Sequence, residues 1–183
     1  VTEILLAADA DPTISVGGIL NSIGGNIRVG GSELFVTEAC EYTNSFLSFF
    51  PNREVILNIE ADHLDFFKDI EDIRHSFRLF AQKLPKDGLL VINSDIDRYE
   101  EIVDGLECRI VTCGKRTDSN YRAEDITYDH FARAAFRLMI DGQDAGEITL
   151  GVPGEHNVYN ALAAIALCRD LGIDMEHIRA GLK

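Results

Sequence analysis

Positive charge is scarce in this chain: 17 lysines and arginines stand against 31 aspartates and glutamates, a formal net charge of −14 over 183 residues. Such a surface repels phosphates. It argues against nonspecific binding to nucleic acid or anionic lipid, and it requires any phosphate ligand to arrive with a metal ion or to meet a local pocket. Long apolar runs are missing as well. No stretch approaches the ~20 residues that span a bilayer, and the N-terminal segment lacks the basic region, apolar core and small-residue cleavage site of a signal peptide, so the chain reads as cytoplasmic. Cysteine is sparse and unpaired in sequence: Cys40, Cys108, Cys113 and Cys168 include no Cys-x-x-Cys. Buried, reduced thiols are expected rather than structural zinc. There is no internal repeat, no low-complexity tract, and no Gly-x-x-Gly-Lys-Ser/Thr phosphate loop.

What is present suits one domain. With 46% hydrophobic residues, a chain of this length buries roughly 70% of its unfolded surface around one core. A helical pattern over 1–10 opens the chain, and two Gly-Gly pairs between Gly17 and Gly31 predict turns or short edge strands. Leu34–Thr37 reads as a buried strand ending at Glu38, Thr43–Phe50 as a short helix stopped by Pro51, and Val55–Ile59 as the next strand. Apolar residues Ile70, Ile73, Phe77, Phe80 and Leu84 recur at spacings of three and four, which predicts an amphipathic helix over 69–84. A turn at Pro85–Gly88 leads to a buried strand 89–93, a helix 95–106 and a strand 108–113. Strands alternating with helices imply an α/β fold with a mostly parallel sheet and right-handed crossovers. Asp141-Gly142 between two apolar runs signals a hairpin, so a small antiparallel subsheet is expected in the second half. A helix from His156 to Leu171, capped by Gly172, and a last helix 174–182 complete the chain.

Three polar groups fall where such sheets hold ligands, at the carboxyl ends of strands. Asn58, Glu60, Asp62, His63 and Asp65 follow the run Val55-Ile56-Leu57; so many acids beside an imidazole suit a hard divalent cation such as Mg2+. Glu38 ends another strand, where its carboxylate is either a metal ligand or a solvated terminus. His156 and Asn160 lie four apart at a helix start and project from one face.

The segments Thr37-Glu38-Ala39-Cys40-Glu41-Tyr42 with Ser45-Phe46-Leu47, Asn58 to Asp65, and Pro153-Gly154-Glu155-His156-Asn157-Val158-Tyr159-Asn160-Ala161-Leu162-Ala163-Ala164 occur in an order and spacing that resembles the central ATP-binding domain of the Mur ligases. The resemblance runs over essentially the whole chain, and the first segment is most similar in form to members that join L-alanine to UDP-N-acetylmuramate. It implies a P-loop NTPase-like fold over 1–183, ATP and Mg2+ as cofactors, Glu38 and His63 at the metal, and His156 and Asn160 at the adenine. On the substrate side it implies Asn26, with a plain turn as the alternative, and Asn58, which otherwise fixes the strand-to-loop turn. The family's phosphate loop and flanking domains are not matched, so the expectation is a fragment of a longer ligase, inactive alone and prone to self-association through the gap of a missing strand. A family lysine on the helix after the histidine motif is not carried over, because Arg78 stands near that place. Rival readings are a ligase that recycles a murein tripeptide onto the same sugar nucleotide, and a noncatalytic interaction module.

Overall fold

The computed structural model describes residues 1–183. Its main body is a six-stranded sheet in the order β4 (Arg53–Ile56), β5 (Leu89–Asn93), β6 (Arg109–Cys113), β7 (Tyr121–Tyr128), β8 (Arg133–Ile140) and β9 (Gln143–Pro153). Strands β4 to β7 pair in parallel and β8 and β9 continue antiparallel, so the expected subsheet is a continuation of the main sheet.

Strand β5 explains the layering. Leu89, Leu90, Val91 and Ile92 are all buried because side chains alternate across a sheet that is covered on both faces. Leu90 and Ile92 pack with Ile56, Ile73, Ala81 and Ile102, under α2 (Ile70–Ala81) and α3 (Tyr99–Val103). Leu89 and Val91 face the other layer, where α4 (His156–Asp170) lays Ala161, Leu162, Ala163, Ala164 and Ile165 on the sheet. The small side chains let α4 lie close to Phe136, Leu138 and Ile148. Gly172 at φ 82 ends that helix as expected, and α1 (Thr2–Ala7) and α5 (Met175–Leu182) pack together beside it.

Helix α2 begins where its sequence says it should: Asp69 is extended and its Oδ1 accepts from the N–H groups of Glu71 and Asp72. Its surface is tied to α3 by ion pairs from Arg74 to Asp97 and from Arg98 to Glu71 and Glu101.

Several expectations are corrected. The segment 13–37 forms a second, three-stranded sheet in the order β2 (Gly25–Arg28), β1 (Thr13–Leu20), β3 (Phe35–Thr37). Strand β3 is therefore an edge strand and not a central one, and Phe35 is 59% exposed. The glycines at 17 and 18 hid β1 because they break its apolar pattern. Tyr42–Ser48 is a 3-10 segment interrupted at Thr43 and Asn44, both left-handed (φ 54 and 59). Strand β4 stops at Ile56, leaving Asn58 in the loop, and the helix expected over 95–106 shrinks to α3. Cys40 is exposed; the other three thiols are buried.

Candidate active site

The parallel strands end on one rim. The loop after β4 carries Asn58 and His63. Asn93, the last residue of β5, donates through Nδ2 to Leu57 O at 3.1 Å and accepts through Oδ1 from Asp95 N at 2.9 Å. Asp95 in turn accepts from Lys115 N, just past β6, at 3.1 and 2.9 Å. Lys115 Nζ reaches Glu155 Oε1, at the start of α4, at 3.2 Å. A continuous series of polar contacts thus runs from the β4 loop to the helix bearing His156 and Asn160.

His63 occupies a left-handed conformation (φ 52), stabilised by Asp62 Oδ1 accepting from its N–H at 2.7 Å. Its carbonyl accepts from Phe66 N and Phe67 N, and its ring lies 4.7 Å from that of Tyr42. Tyr42 donates its hydroxyl to Asp65 Oδ2 at 2.8 Å, which raises the phenol pKa. His63 Nε2 sits 3.6 Å from Glu41 Oε1. Glu41, which is not among the expected site residues, is thus the carboxylate that the structure brings to the imidazole. Thr43 and Asn44 add two more left-handed residues beside this pair, and Asn44 Oδ1 is buried without a partner. Such conformations cost of order 1–3 kcal/mol each and persist where surrounding structure holds them, a pattern enriched at functional loops.

Glu38 ends β3 with its side chain exposed; Oε2 accepts from Gly17 N at 2.8 Å, so one oxygen anchors β1 while Oε1 has no hydrogen-bond partner. No three histidine, cysteine or acidic side chains are gathered as a ready metal shell. The donor set nevertheless fits Mg2+, which keeps several waters and takes only one or two protein carboxylates plus substrate phosphate oxygens. Asn58 turns back on itself, its Oδ1 accepting from Ile59 N at 3.0 Å. Asn26 is exposed on β2, in the three-stranded sheet.

The start of α4 is shaped by Gly154. Its φ of 104 is open to glycine alone, and a Cβ there would lie 2.7 Å from His156 Cε1. The imidazole folds over that bare backbone. Asn157 Nδ2 donates to Pro153 O at 2.8 Å, and Asn160 Nδ2 donates to Asn157 Oδ1 at 3.2 Å, leaving Asn160 Oδ1 free to accept. Lys115 and Tyr159 also belong to this end of the rim; neither was visible as a site residue because their proximity depends on the sheet. A groove of about 550 Å3 at the opposite end of α4 is lined by Arg109, Asp141 and Asp170. Its acids are already engaged, Asp170 by Arg53 and Arg109, Asp141 by Asn120 and Asp144 by the Gly146 N–H, so it does not compete with the rim.

An open α/β layout with its polar loops gathered at the strand ends is that of a ligand-binding enzyme domain. A family model described as the Mur ligase middle domain matches residues 19–168, and the chain belongs to that family. It is 64% identical over 183 residues to the UDP-N-acetylmuramate–L-alanine ligase of Lachnospira eligens and 59% identical over 182 residues to that of Agathobacter rectalis; each match covers 100% of this chain and 40% of the relative. The chain therefore spans about two fifths of the length of these curated relatives. Among solved structures, the UDP-N-acetylmuramate–alanine ligase of Thermotoga maritima superposes with a TM-score of 0.84 at 29% identity, covering 99% of this chain and 40% of that one. A UDP-N-acetylmuramate:L-alanyl-γ-D-glutamyl-meso-diaminopimelate ligase from Neisseria meningitides gives 0.86 at 26% identity, covering 99% and 59%. No helix of the chain is long and apolar enough to cross a membrane.

Proposed function

We propose that residues 1–183 form one domain that handles the nucleotide in an ATP-dependent amide ligase, a cytoplasmic enzyme joining L-alanine to UDP-N-acetylmuramate. The observation that carries this reading is the 64% identity over the whole chain to a ligase of that name, with another of the same name at 59%. The tripeptide-recycling alternative is less favoured because the relatives at 64% and 59% identity are both named L-alanine ligases, whereas the solved ligases of the two kinds, at 29% and 26%, do not separate the readings. The noncatalytic alternative leaves the strained His63 loop and the polar rim without purpose.

In this reading ATP phosphorylates the sugar nucleotide's carboxylate, and the amine of L-alanine attacks the acyl phosphate. Mg2+, when bound, would neutralise charge between the phosphate and carboxylate oxygens. Glu38 offers its Oε1 to that cation, and His63, backed by Glu41, offers an imidazole. His156 and Asn160 orient the base, Asn160 through its free Oδ1. Asn58 and Asn26 stand on the substrate side. Strands β3 and β4 are unpaired edges of different sheets, which supports self-association of the isolated chain; light scattering giving a clean monomer at high concentration removes that part.

The test is phosphate release from ATP by the full-length ligase with UDP-N-acetylmuramate and either L-alanine or the tripeptide. L-Alanine should be the better amine, and His63→Ala should lower the rate at least tenfold at about the cost of one lost metal contact. Unchanged turnover in that variant takes His63 out of the mechanism, and a preference for the tripeptide replaces the substrate assignment.

A further inference from the structure

Glu38 and His63 hang on different sheets. Glu38 follows β3 in the three-stranded sheet, His63 lies in the loop after β4 at the edge of the six-stranded one, and no strand pairing joins the two. Their placement relative to each other therefore depends on side-chain contacts between the segment 41–48 and the β4 loop and α2. One set is apolar. The buried Phe46 ring stacks on Phe80 of α2 at 4.6 Å and meets Phe77 edge-on at 5.3 Å, which docks the segment on the main body.

The other set converges on Tyr42. Its hydroxyl donates to Asp65 Oδ2 at 2.8 Å, its ring lies 4.7 Å from the His63 imidazole at an interplanar angle of 34°, and it stands edge-on to Phe66 at 6.1 Å. Asp65 and Phe66 follow His63 closely in the chain, and Phe66 N donates to the His63 carbonyl at 2.8 Å. One side chain thus holds both the imidazole and the turn that carries it. Tyr42 is itself 38% exposed, so it is not a core residue whose loss would open the interior.

An imidazole binds a cation through a ring lone pair, so the direction of that lone pair decides whether the site forms. The His63 backbone is fixed by its left-handed conformation and by Asp62. The side-chain torsions remain, and the Tyr42 ring limits them from one face. We infer that Tyr42 is a positioning residue for the cation site: its hydroxyl bond to Asp65 and its ring against His63 hold the imidazole in a fixed place relative to the segment that carries Glu38. This role rests on Glu38 and His63 being the protein groups at the cation.

The full-length ligase tests it in Tyr42→Phe, Tyr42→Leu, His63→Ala and the double variant Tyr42→Leu/His63→Ala. The readouts are the free Mg2+ concentration giving half-maximal rate at saturating ATP, and the ring resonance of His63 in metal-free, 13C-histidine-labelled enzyme, identified by its loss in His63→Ala. Tyr42→Leu should raise the Mg2+ requirement about tenfold, with kcat at saturating Mg2+ changed less than about twofold, and should shift the resonance. Tyr42→Phe keeps the ring and loses the hydroxyl bond, so it should give a rise of about threefold and a smaller shift. On the His63→Ala background, Tyr42→Leu should add less than about twofold, because the two residues act as a unit. Should the leucine variant fail to fold, Tyr42→Phe alone and on the His63→Ala background carries the same comparison. A raised requirement in His63→Ala with a wild-type requirement in the Tyr42 variants overturns the inference, as does a Tyr42 effect that adds in full to that of His63→Ala, which is the mark of a merely structural residue. A wild-type requirement in His63→Ala overturns the placement of His63 at the cation, and the inference with it.

Discussion

Glu54 is the residue whose environment makes the sharpest demand on the molecule. It lies on β4, pairs in register with Leu90, and is only 5% exposed, with neither carboxylate oxygen hydrogen-bonded. Burial without a compensating partner pushes its pKa from 4.5 up to about 8. The Cys108 thiol nearby is also raised, mainly by its own burial and in smaller part by Glu54. Between those two pH values the folded chain keeps a proton that the unfolded chain releases. The group's contribution to stability is thus fully present below the unfolded value and is lost as pH rises through the folded one. At ~1.4 kcal/mol per pH unit the whole window is worth about 5 kcal/mol as an order of magnitude. Glu54→Gln keeps the shape and removes the titration. Urea unfolding of the 183-residue chain at pH 5.5, 6.5 and 7.5 provides the measurement. Relative to the variant, the wild-type midpoint should fall by about 1 M across that range for an m-value of about 2.5 kcal/mol/M. Acids elsewhere titrate alike in both proteins and cancel in the difference. Parallel midpoints from pH 5.5 to 7.5 would refute the claim that this carboxyl is held neutral by burial.

Removing the cap of α2 by Asp69→Ala should cost about 1 kcal/mol, because two N–H groups lose their acceptor; the same urea assay reads it, and an unchanged midpoint would mean that water replaces the cap at no cost. Gly154→Ala should cost about 1–3 kcal/mol for the left-handed backbone and should also displace the His156 ring, which a Cβ would touch at 2.7 Å. The displacement is measurable as a changed His156 ring shift in NMR spectra, and a spectrum superposable on wild type would count against the folded-over imidazole.

Elements whose signals are local were legible in the sequence. The run 89–92 is uniformly apolar because both sheet faces are covered, the α2 pattern is set by one buried face, and Asp141-Gly142 supplies the positive φ values of a two-residue hairpin turn, 49 and 78. The errors share a cause as well. Strand β1 contains Gly17 and Gly18 and is mostly half-buried or exposed, so its β-branched residues are interrupted and show no clean alternation of buried and exposed positions. Phe35 and Val36 look like core by composition, yet β3 pairs only with β1. Apolar character alone cannot distinguish an edge strand from a central one.

The candidate site shows the same division at finer grain. Motif spacing alone is enough to bring His156 and Asn160 to one helix face, since four residues make about one turn. It cannot decide which acid meets His63, because the course of the chain from Glu38 to Glu41 and on to the β4 loop depends on the pairing of β3 with β1 and on the left-handed Thr43 and Asn44 that follow. The structure gives Glu38 to the Gly17 amide and Glu41 to the imidazole. One carboxylate thus secures the small sheet through one oxygen, and the second lies 3.6 Å from the histidine's Nε2. Mutating Glu41 should therefore act through His63, whereas mutating Glu38 should also loosen β1 from β3. Lys115 and Tyr159 are 44 positions apart in the chain and meet only because β6 ends beside the start of α4. Contacts of that kind follow from strand order, and strand order is what an isolated sequence expresses least.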